Sequence, residues 1–300
     1  MGQKGNHIVG SAVAVLLAAS LAWAISDGGA TAGGVAVVFW CVGLAFVVNW
    51  VGFLHSVIAR TERFYDLTGT LTYLLVVATA LVLTGRYDPL SWLLVALVAL
   101  WTLRLGTFLF RRISAAGSDS RFEKILTRPT QLFMTWTLQG LWVSATLAAA
   151  LVALTVAEEP DVGWWWLPGG AIWLLGFTLE AVADAQKSAF RADPSNDGMY
   201  ISTGLWAWSR HPNYFGEITL WVGVAVVSFP AMAGWGYVGL VSPVFVFALI
   251  RYVSGVPMLE AKAEKRWGDD PRWRAYRSGT PLLVPRPPRR SGGDQVQERQ

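Results

Sequence analysis

Apolar residues recur along the chain in eight runs of membrane length, near 8–26, 34–58, 67–85, 89–110, 131–156, 163–183, 217–232 and 235–258. About 20 mainly apolar residues in helical form cross a hydrocarbon core, so each run predicts a membrane-spanning helix. The fold expected is all-α: a polytopic transmembrane bundle of about seven to nine helices. The seventh run is short and contains Pro230, which predicts a tilted, broken or re-entrant segment. Polar residues interrupt this pattern at helical spacing in two places. Glu180, Asp184, Lys187 and Arg191 fall at i, i+4, i+7 and i+11, on one side of a helix whose other side is apolar. Arg210, Asn213 and Glu217 are three and four apart, on a helix that Pro212 starts at its first turn. Two facing polar stripes beside apolar segments predict a pocket for a large, polar, anionic ligand. Over 260–276, charges alternate with Trp267, Trp273 and Tyr276, the pattern of an interfacial amphipathic helix, broken around 268–271. The stretch 281–300, rich in Pro, Arg, Gly and Gln, is expected to fray.

Composition agrees: 54% of residues are hydrophobic and 15% charged, with 17 Trp, which excludes a soluble domain carrying one anchor. The cations between the runs set an orientation. Arg60 and Arg63, then Arg111, Arg112, Arg121, Lys124 and Arg128, then Lys187, Arg191 and Arg210 occupy alternate connections. Lys and Arg are held back on the cytoplasmic side, so these connections, both polar stripes and both termini are expected there, in a multi-pass protein of the inner membrane. The opposite connections carry Asp27, then Arg86 with Asp88, then Glu158, Glu159 and Asp161. The basic C-terminal segment reads as topology and contact with anionic membrane lipids, not as nucleic-acid binding. Lys4, a short apolar core and Ala22-Trp23-Ala24 resemble a secretory signal, but an uncleaved first helix is the reading taken. Asn6 stands where N-myristoylation needs Ser or Thr.

Three common routes to chemistry are missing. His7, His55 and His211 are too scattered for a metal site, and Cys41 is alone, which leaves no cysteine-built centre; no metal is expected. No glycine-rich phosphate loop follows a strand; Gly33-Gly34 and Gly169-Gly170 read as turns at helix starts. An anion can still be held by the forked donors of Arg191 and Arg210, while Asp184, Asn213 and Glu217 accept from hydroxyls or an amide. That mixture of donors and acceptors fits a nucleotide cofactor.

The residues Gly204-Leu205-Trp206, then Ser209-Arg210-His211-Pro212-Asn213-Tyr214-Phe215-Gly216-Glu217, resemble the signature of bacterial membrane proteins related to the C-terminal domain of steroid 5-alpha reductases. The similarity reaches back through Glu180, Asp184 and Arg191 to residues 62–66, and forward to Arg251. The similarity covers most of residues 55–285, and the layout expected is N-terminal transmembrane helices over 1–60, a reductase-like catalytic domain over 61–285 and, from its composition, a disordered basic tail over 286–300. It also implies NADPH as cofactor, bound by residues resembling Asp184, Arg191, Asn213, Glu217 and Arg251, with Glu180, Arg210, His211 and Tyr214 beside them. Two departures touch the adenine end and steroid specificity. Glu180 stands where those enzymes have Asn, and Gly255 and Leu259 replace a His and a Tyr.

In such reductases a Glu and a Tyr polarise an enone carbonyl while hydride reaches the β-carbon. By position, Asp66 is the acid chosen here and Tyr65 or Tyr73 the phenol, since a buried carboxyl keeps its proton towards neutrality. Blander readings stand beside these: Asp66 paired with Arg63, Glu180 with Lys187, Asp184 with Arg191, Arg210 as a topology anchor, and His211 as a packing residue. The activity expected is an NADPH-dependent reduction of a carbon–carbon double bond in a lipid-soluble substrate. Two alternatives remain. Isoprenylcysteine carboxyl methyltransferases share an Arg-His-Pro-x-Tyr-x-Gly core and use S-adenosylmethionine, and a non-catalytic lipid-binding protein would need no nucleotide at all.

Overall fold

The computed structural model describes residues 3–117, 122–160 and 163–288. The Met1-Gly2 start, Arg121, Asp161 and residues 289–300 of the expected tail lie outside the described residues. The chain is all-α, a polytopic helix bundle with one two-stranded hairpin. Seven helices among the described residues are long and apolar enough to cross a membrane, and an eighth span is reached if one bent pair counts once. This is a multi-pass membrane protein.

The chain divides into two compact units. The first, Met1–Gly170 with Val222–Phe245, contains α1 (Gln3–Ile25), the strands β1 (Thr31–Ala32) and β2 (Val35–Ala36), α2 (Val37–Ala59), α3 (Tyr65–Thr84), α4 (Pro89–Ala116), α5 (Pro129–Thr146) and α6 (Ala148–Thr155). Asp88 caps α4 by accepting the Ser91 backbone N–H, and Pro89 fills the first turn, where no donor is needed. Gly33 and Gly34 make the two-residue hairpin turn with φ of 60° and 79°, a backbone that side chains with a Cβ resist. They serve a turn, as their sequence context predicted, whereas Gly169 and Gly170, expected in a turn as well, lie in the helix Trp166–Ala192.

The run expected as one helix over 131–156 is two, α5 and α6, bent by 58°. At the bend the Ser242 hydroxyl donates to the Thr146 carbonyl, and a side chain inserted into the helical ladder is a recognised cause of a kink. Every residue of α6 is buried, the apolar centre of this unit.

The second unit, Ala171–Trp221 with Val246–Gln300, contains most of α7 (Trp166–Ala192) and α8 (Pro212–Ser228), then α10 (Val256–Trp267) and α11 (Pro271–Gly279). α9 (Val241–Ala248) precedes a π-helical turn, Leu249–Val253. α7 is longer than its apolar run, so the whole acidic-basic stripe stays on one helix. Starting at Pro212, α8 gains the length its apolar run lacked. With the 3₁₀ turn Phe229–Ala231 it makes a 20-residue span, and Pro230 sits in that turn, not in a helix interior.

The last span, Gly234–Trp267, has 34 residues, far more than the roughly 20 a bilayer core requires. Its charged end, α10, therefore extends beyond the hydrocarbon. The interfacial helix expected over 260–276 is present as α10 and α11, with its break at 268–270 where Asp270 caps α11. One expectation is corrected. Residues 281–286, placed in the fraying stretch, are tied to the chain ahead of α8: the Arg210 N–H donates to the Pro281 carbonyl at 2.9 Å, the Ser209 hydroxyl to Leu283 at 2.7 Å, and the Arg286 N–H to Trp208 at 3.0 Å. These bonds, together with the burial of Leu283, offset the entropy that its Pro-rich composition would otherwise keep.

Candidate functional site

The two polar stripes meet directly. Asn213 Nδ2 on α8 donates to Asp184 Oδ1 on α7 at 3.3 Å, and both Glu180 and Asp184 are buried. Glycines allow this contact. A Cβ added at Gly216 would lie 2.6 Å from the Glu180 nitrogen and 2.6 Å from the Gly176 carbonyl, so α7 and α8 touch backbone to backbone.

Beyond that contact lies a cavity of about 260 Å³, lined by the end of α7, residues of the segment 199–211, α10 and α11. Its position is fixed by one side chain and one backbone carbonyl of α7 that grip the segment. Gln186 Oε1 accepts the Leu205 N–H at 2.9 Å, and the Ala183 carbonyl accepts Trp206 Nε1 at 3.1 Å. Gly204, at φ 59°, passes where a side chain would strike Gln186. From α11, the Tyr276 hydroxyl donates to the Trp206 carbonyl at 2.7 Å. Tyr200, Trp206, Trp267, Trp273 and Tyr276 form the aromatic walls. Five cations line the same cavity, Lys187, Arg191, Arg210, Lys262 and Arg266, against one carboxylate, Glu260.

That carboxylate is already engaged. Glu260 forms an ion pair with Arg210 and accepts from His211 Nε2 at 2.9 Å. Three buried nitrogens in the lining have no hydrogen-bond partner among the described residues: Arg210 Nε, His211 Nδ1 and Trp273 Nε1. Buried polar atoms are rarely left unpaired, so three of them in one lining mark a ligand position.

Burial pushes the His211 imidazole below its ordinary range, against the pull of Glu260. His211 is therefore neutral near pH 7, with Nε2–H donating to Glu260 and Nδ1 left as an acceptor. The sign of the resulting pH dependence follows. An unfolded His takes up its proton near pH 6.5 and the folded one only at lower pH, so between the two the unfolded state binds more protons. Stability should fall as pH drops below about 6.5, and the His211→Gln variant should lack that part of the slope. Thermal midpoints of the detergent-purified proteins from about pH 8 to about pH 5 measure it, a window above that of the exposed carboxylates. Equal slopes in parent and variant would show that His211 is not held neutral.

The other residues chosen from the sequence are distributed as follows. Arg191, Arg210 and His211 line the cavity. Tyr214 stacks on His211, with ring centroids 5.6 Å apart, and Glu217 lies one turn further along α8. Arg251 sits on the π-helical turn, its guanidinium 5.0 Å from the Tyr252 ring. At Gly255 a Cβ would lie 3.0 Å from the Tyr214 ring, so the space a larger residue would take is filled by Tyr214.

In the first unit, Asp66 is in the first turn of α3. The Tyr65 hydroxyl donates to the Thr135 carbonyl at 3.2 Å, its ring between Phe122 and Trp136. Tyr73 is 4% exposed and packs edge-on against Trp101. Missed as site residues were Glu260, Lys262, Arg266 and the aromatic walls. Their alternation of charge and Trp was visible, but it reads equally as a membrane-surface helix.

Fold and cavity together define a multi-pass helical membrane protein whose second unit holds a cationic, aromatic-walled cavity. Within that class the chain belongs to the family described as Protein of unknown function (DUF1295), whose model matches residues 52–280. No curated protein and no solved structure matches the chain. Among the described residues no group of three or more His, Cys, Asp or Glu side chains is placed to hold a metal ion.

Proposed function

We propose that the protein is an integral-membrane reductase that uses NADPH to reduce a carbon–carbon double bond in a lipid-soluble substrate. The observation that carries this reading is the cavity, where five cations face one neutralised carboxylate between aromatic walls. A dinucleotide is polyanionic and ends in flat rings, which matches that lining. S-adenosylmethionine carries a sulfonium cation, which the same lining repels, so the methyltransferase reading is the weaker one. The three unpaired nitrogens also fit. Arg210 Nε and Trp273 Nε1 donate, as phosphate or ribose oxygens require, and neutral His211 Nδ1 accepts, as a ribose hydroxyl or an adenine amino group requires.

NADPH, when bound, supplies the hydride. The protein's own part in this reading is to hold the anionic end with Arg191 and Arg210, and to keep α7 and α8 in register through Asp184 and Asn213. Asp66, with Tyr65 or Tyr73, is proposed to polarise the substrate carbonyl and return the proton. The Lys and Arg alternation supports an inner-membrane location with both termini cytoplasmic, the compartment that holds NADPH.

Ligand-dependent thermal stability of the detergent-purified protein tests the reading. NADPH should raise it, by about 2.7 kcal/mol at 100 times its dissociation constant, and S-adenosylmethionine should not. Arg191→Ala should weaken the NADPH effect about ten- to a hundredfold in affinity without loss of folded protein. Stabilisation by S-adenosylmethionine alone would reverse the assignment in favour of methyl transfer.

A further inference from the structure

We propose that Lys262 and Arg266 read a phosphate monoester on the ribose of the cofactor's adenosine half, and so set a preference for NADPH over NADH. This rests on the reductase reading above in one respect, that the ligand of the cavity is a nicotinamide dinucleotide.

The size of the cavity selects one end of such a ligand. Complete ligand pockets run from about 300 to 1,000 Å³, and this one is about 260 Å³. Its lining selects which end. A purine can stack on the wall built by Tyr200, Trp267 and Trp273, whose rings already pack at 4.9–5.6 Å. The excess of cations suits the end that carries phosphates. The nicotinamide end, by contrast, has to approach an apolar substrate.

Three of these cations, Arg210, Lys262 and Arg266, fall into two groups. Arg210, beside His211, is largely buried, and its charge is taken by Glu260. Lys262 and Arg266 are exposed, at i and i+4 on α10, so they share one face and repel each other. Both acidic residues of α10 are engaged elsewhere: Glu260 by Arg210 and His211, and Glu264 by Arg277 at 2.7 Å. Among the described residues neither Lys262 nor Arg266 makes an ion pair. Two adjacent unneutralised cations on the edge of a ring-walled cavity are the arrangement that binds a dianionic monoester, and NADH has none to offer.

A phospholipid headgroup presents the same phosphate chemistry, so the test separates the two sources. The full chain and the double variant Lys262→Gln/Arg266→Gln are placed in nanodiscs of phosphatidylcholine alone, and of phosphatidylcholine with phosphatidylglycerol. NADPH, NADH and adenosine 2′,5′-bisphosphate are titrated into each. In both bilayers the parent should prefer NADPH, and the bisphosphate should compete with it. The double variant should lose NADPH affinity about ten- to a hundredfold and keep its NADH affinity. Equal losses for the two dinucleotides, or no loss for either, would overturn the assignment and leave the reductase reading standing. So would a loss of affinity seen only when phosphatidylglycerol is present, which would make the headgroup the occupant. A parent that binds neither dinucleotide would sink both proposals.

Discussion

Glu260→Ala is expected to destabilise the protein by about 3 kcal/mol, and Arg210→Met in the same chain is expected to recover part of that loss. Glu260 is the shared partner of Arg210 and His211, with side-chain exposures of 18%, 12% and 6% respectively. Removing the carboxylate leaves a guanidinium largely out of water with no counter-charge, and breaking a buried pair in this way costs about 3–5 kcal/mol. The lower figure applies because the cavity admits some solvent. Arg277, whose Nε lies 3.8 Å from Glu260, is half exposed and turns to Glu264, so it cannot replace the lost partner.

Arg210→Met removes the orphaned charge while keeping the length of the side chain, which is why the second change should help and not hurt. Chemical denaturation of the two single variants and the double variant closes the cycle. A Glu260→Ala cost below about 1 kcal/mol would mean the pair is screened like a surface ion pair. An additive loss in the double variant would mean that Arg210 contributes through packing alone.

How far the sequence carried the fold depends on which force sets each feature. Apolar runs of about 20 residues dictate a span wherever they occur, because a bilayer offers no other partner for backbone groups. That is why α1 to α4 and α7 were legible. The ends were less so. α7 continues through Lys187 to Ala192 and α8 begins at Pro212, since helical hydrogen bonding and a proline in the first turn do not require apolar residues. At the bend between α5 and α6 the Thr146 carbonyl accepts from Ser242, nearly a hundred residues away, and no local pattern announces that contact.

The site divides along the same line. Glu180, Asp184, Lys187 and Arg191 could be read because helical periodicity places them together. Glu260 and His211 are 49 residues apart, and their contact depends on how α10 and the segment before α8 pack. The 281–286 segment shows the same limit in reverse. Its composition argued for disorder, yet two backbone bonds, to Trp208 and Arg210, and one from the Ser209 hydroxyl hold it beside the cavity.

Gly216→Leu is expected to lower folded yield and thermal midpoint together, and to abolish ligand binding as a consequence. Its Cβ would lie 2.6 Å from two backbone atoms of α7, the Glu180 nitrogen and the Gly176 oxygen, and 2.9 Å from the Glu180 Cβ. Backbone atoms inside a helix cannot swing aside as the end of a side chain can, so α7 and α8 must separate. Overpacking of this kind costs about 1–3 kcal/mol even where side chains can relax, and more is expected here. Separation also pulls Asn213 from Asp184 and shifts His211, one residue ahead of α8, away from Glu260.

Gly170, on α7, supplies the control. A Cβ there meets nothing within 4 Å, so Gly170→Ala should be neutral or slightly stabilising through its better helix propensity, by up to about 1 kcal/mol. Size-exclusion profiles and thermal midpoints of the two variants beside the parent give the comparison. If Gly216→Leu behaves like Gly170→Ala, then α7 and α8 do not touch at this point, and the cavity at their ends has lost the contact that positions it.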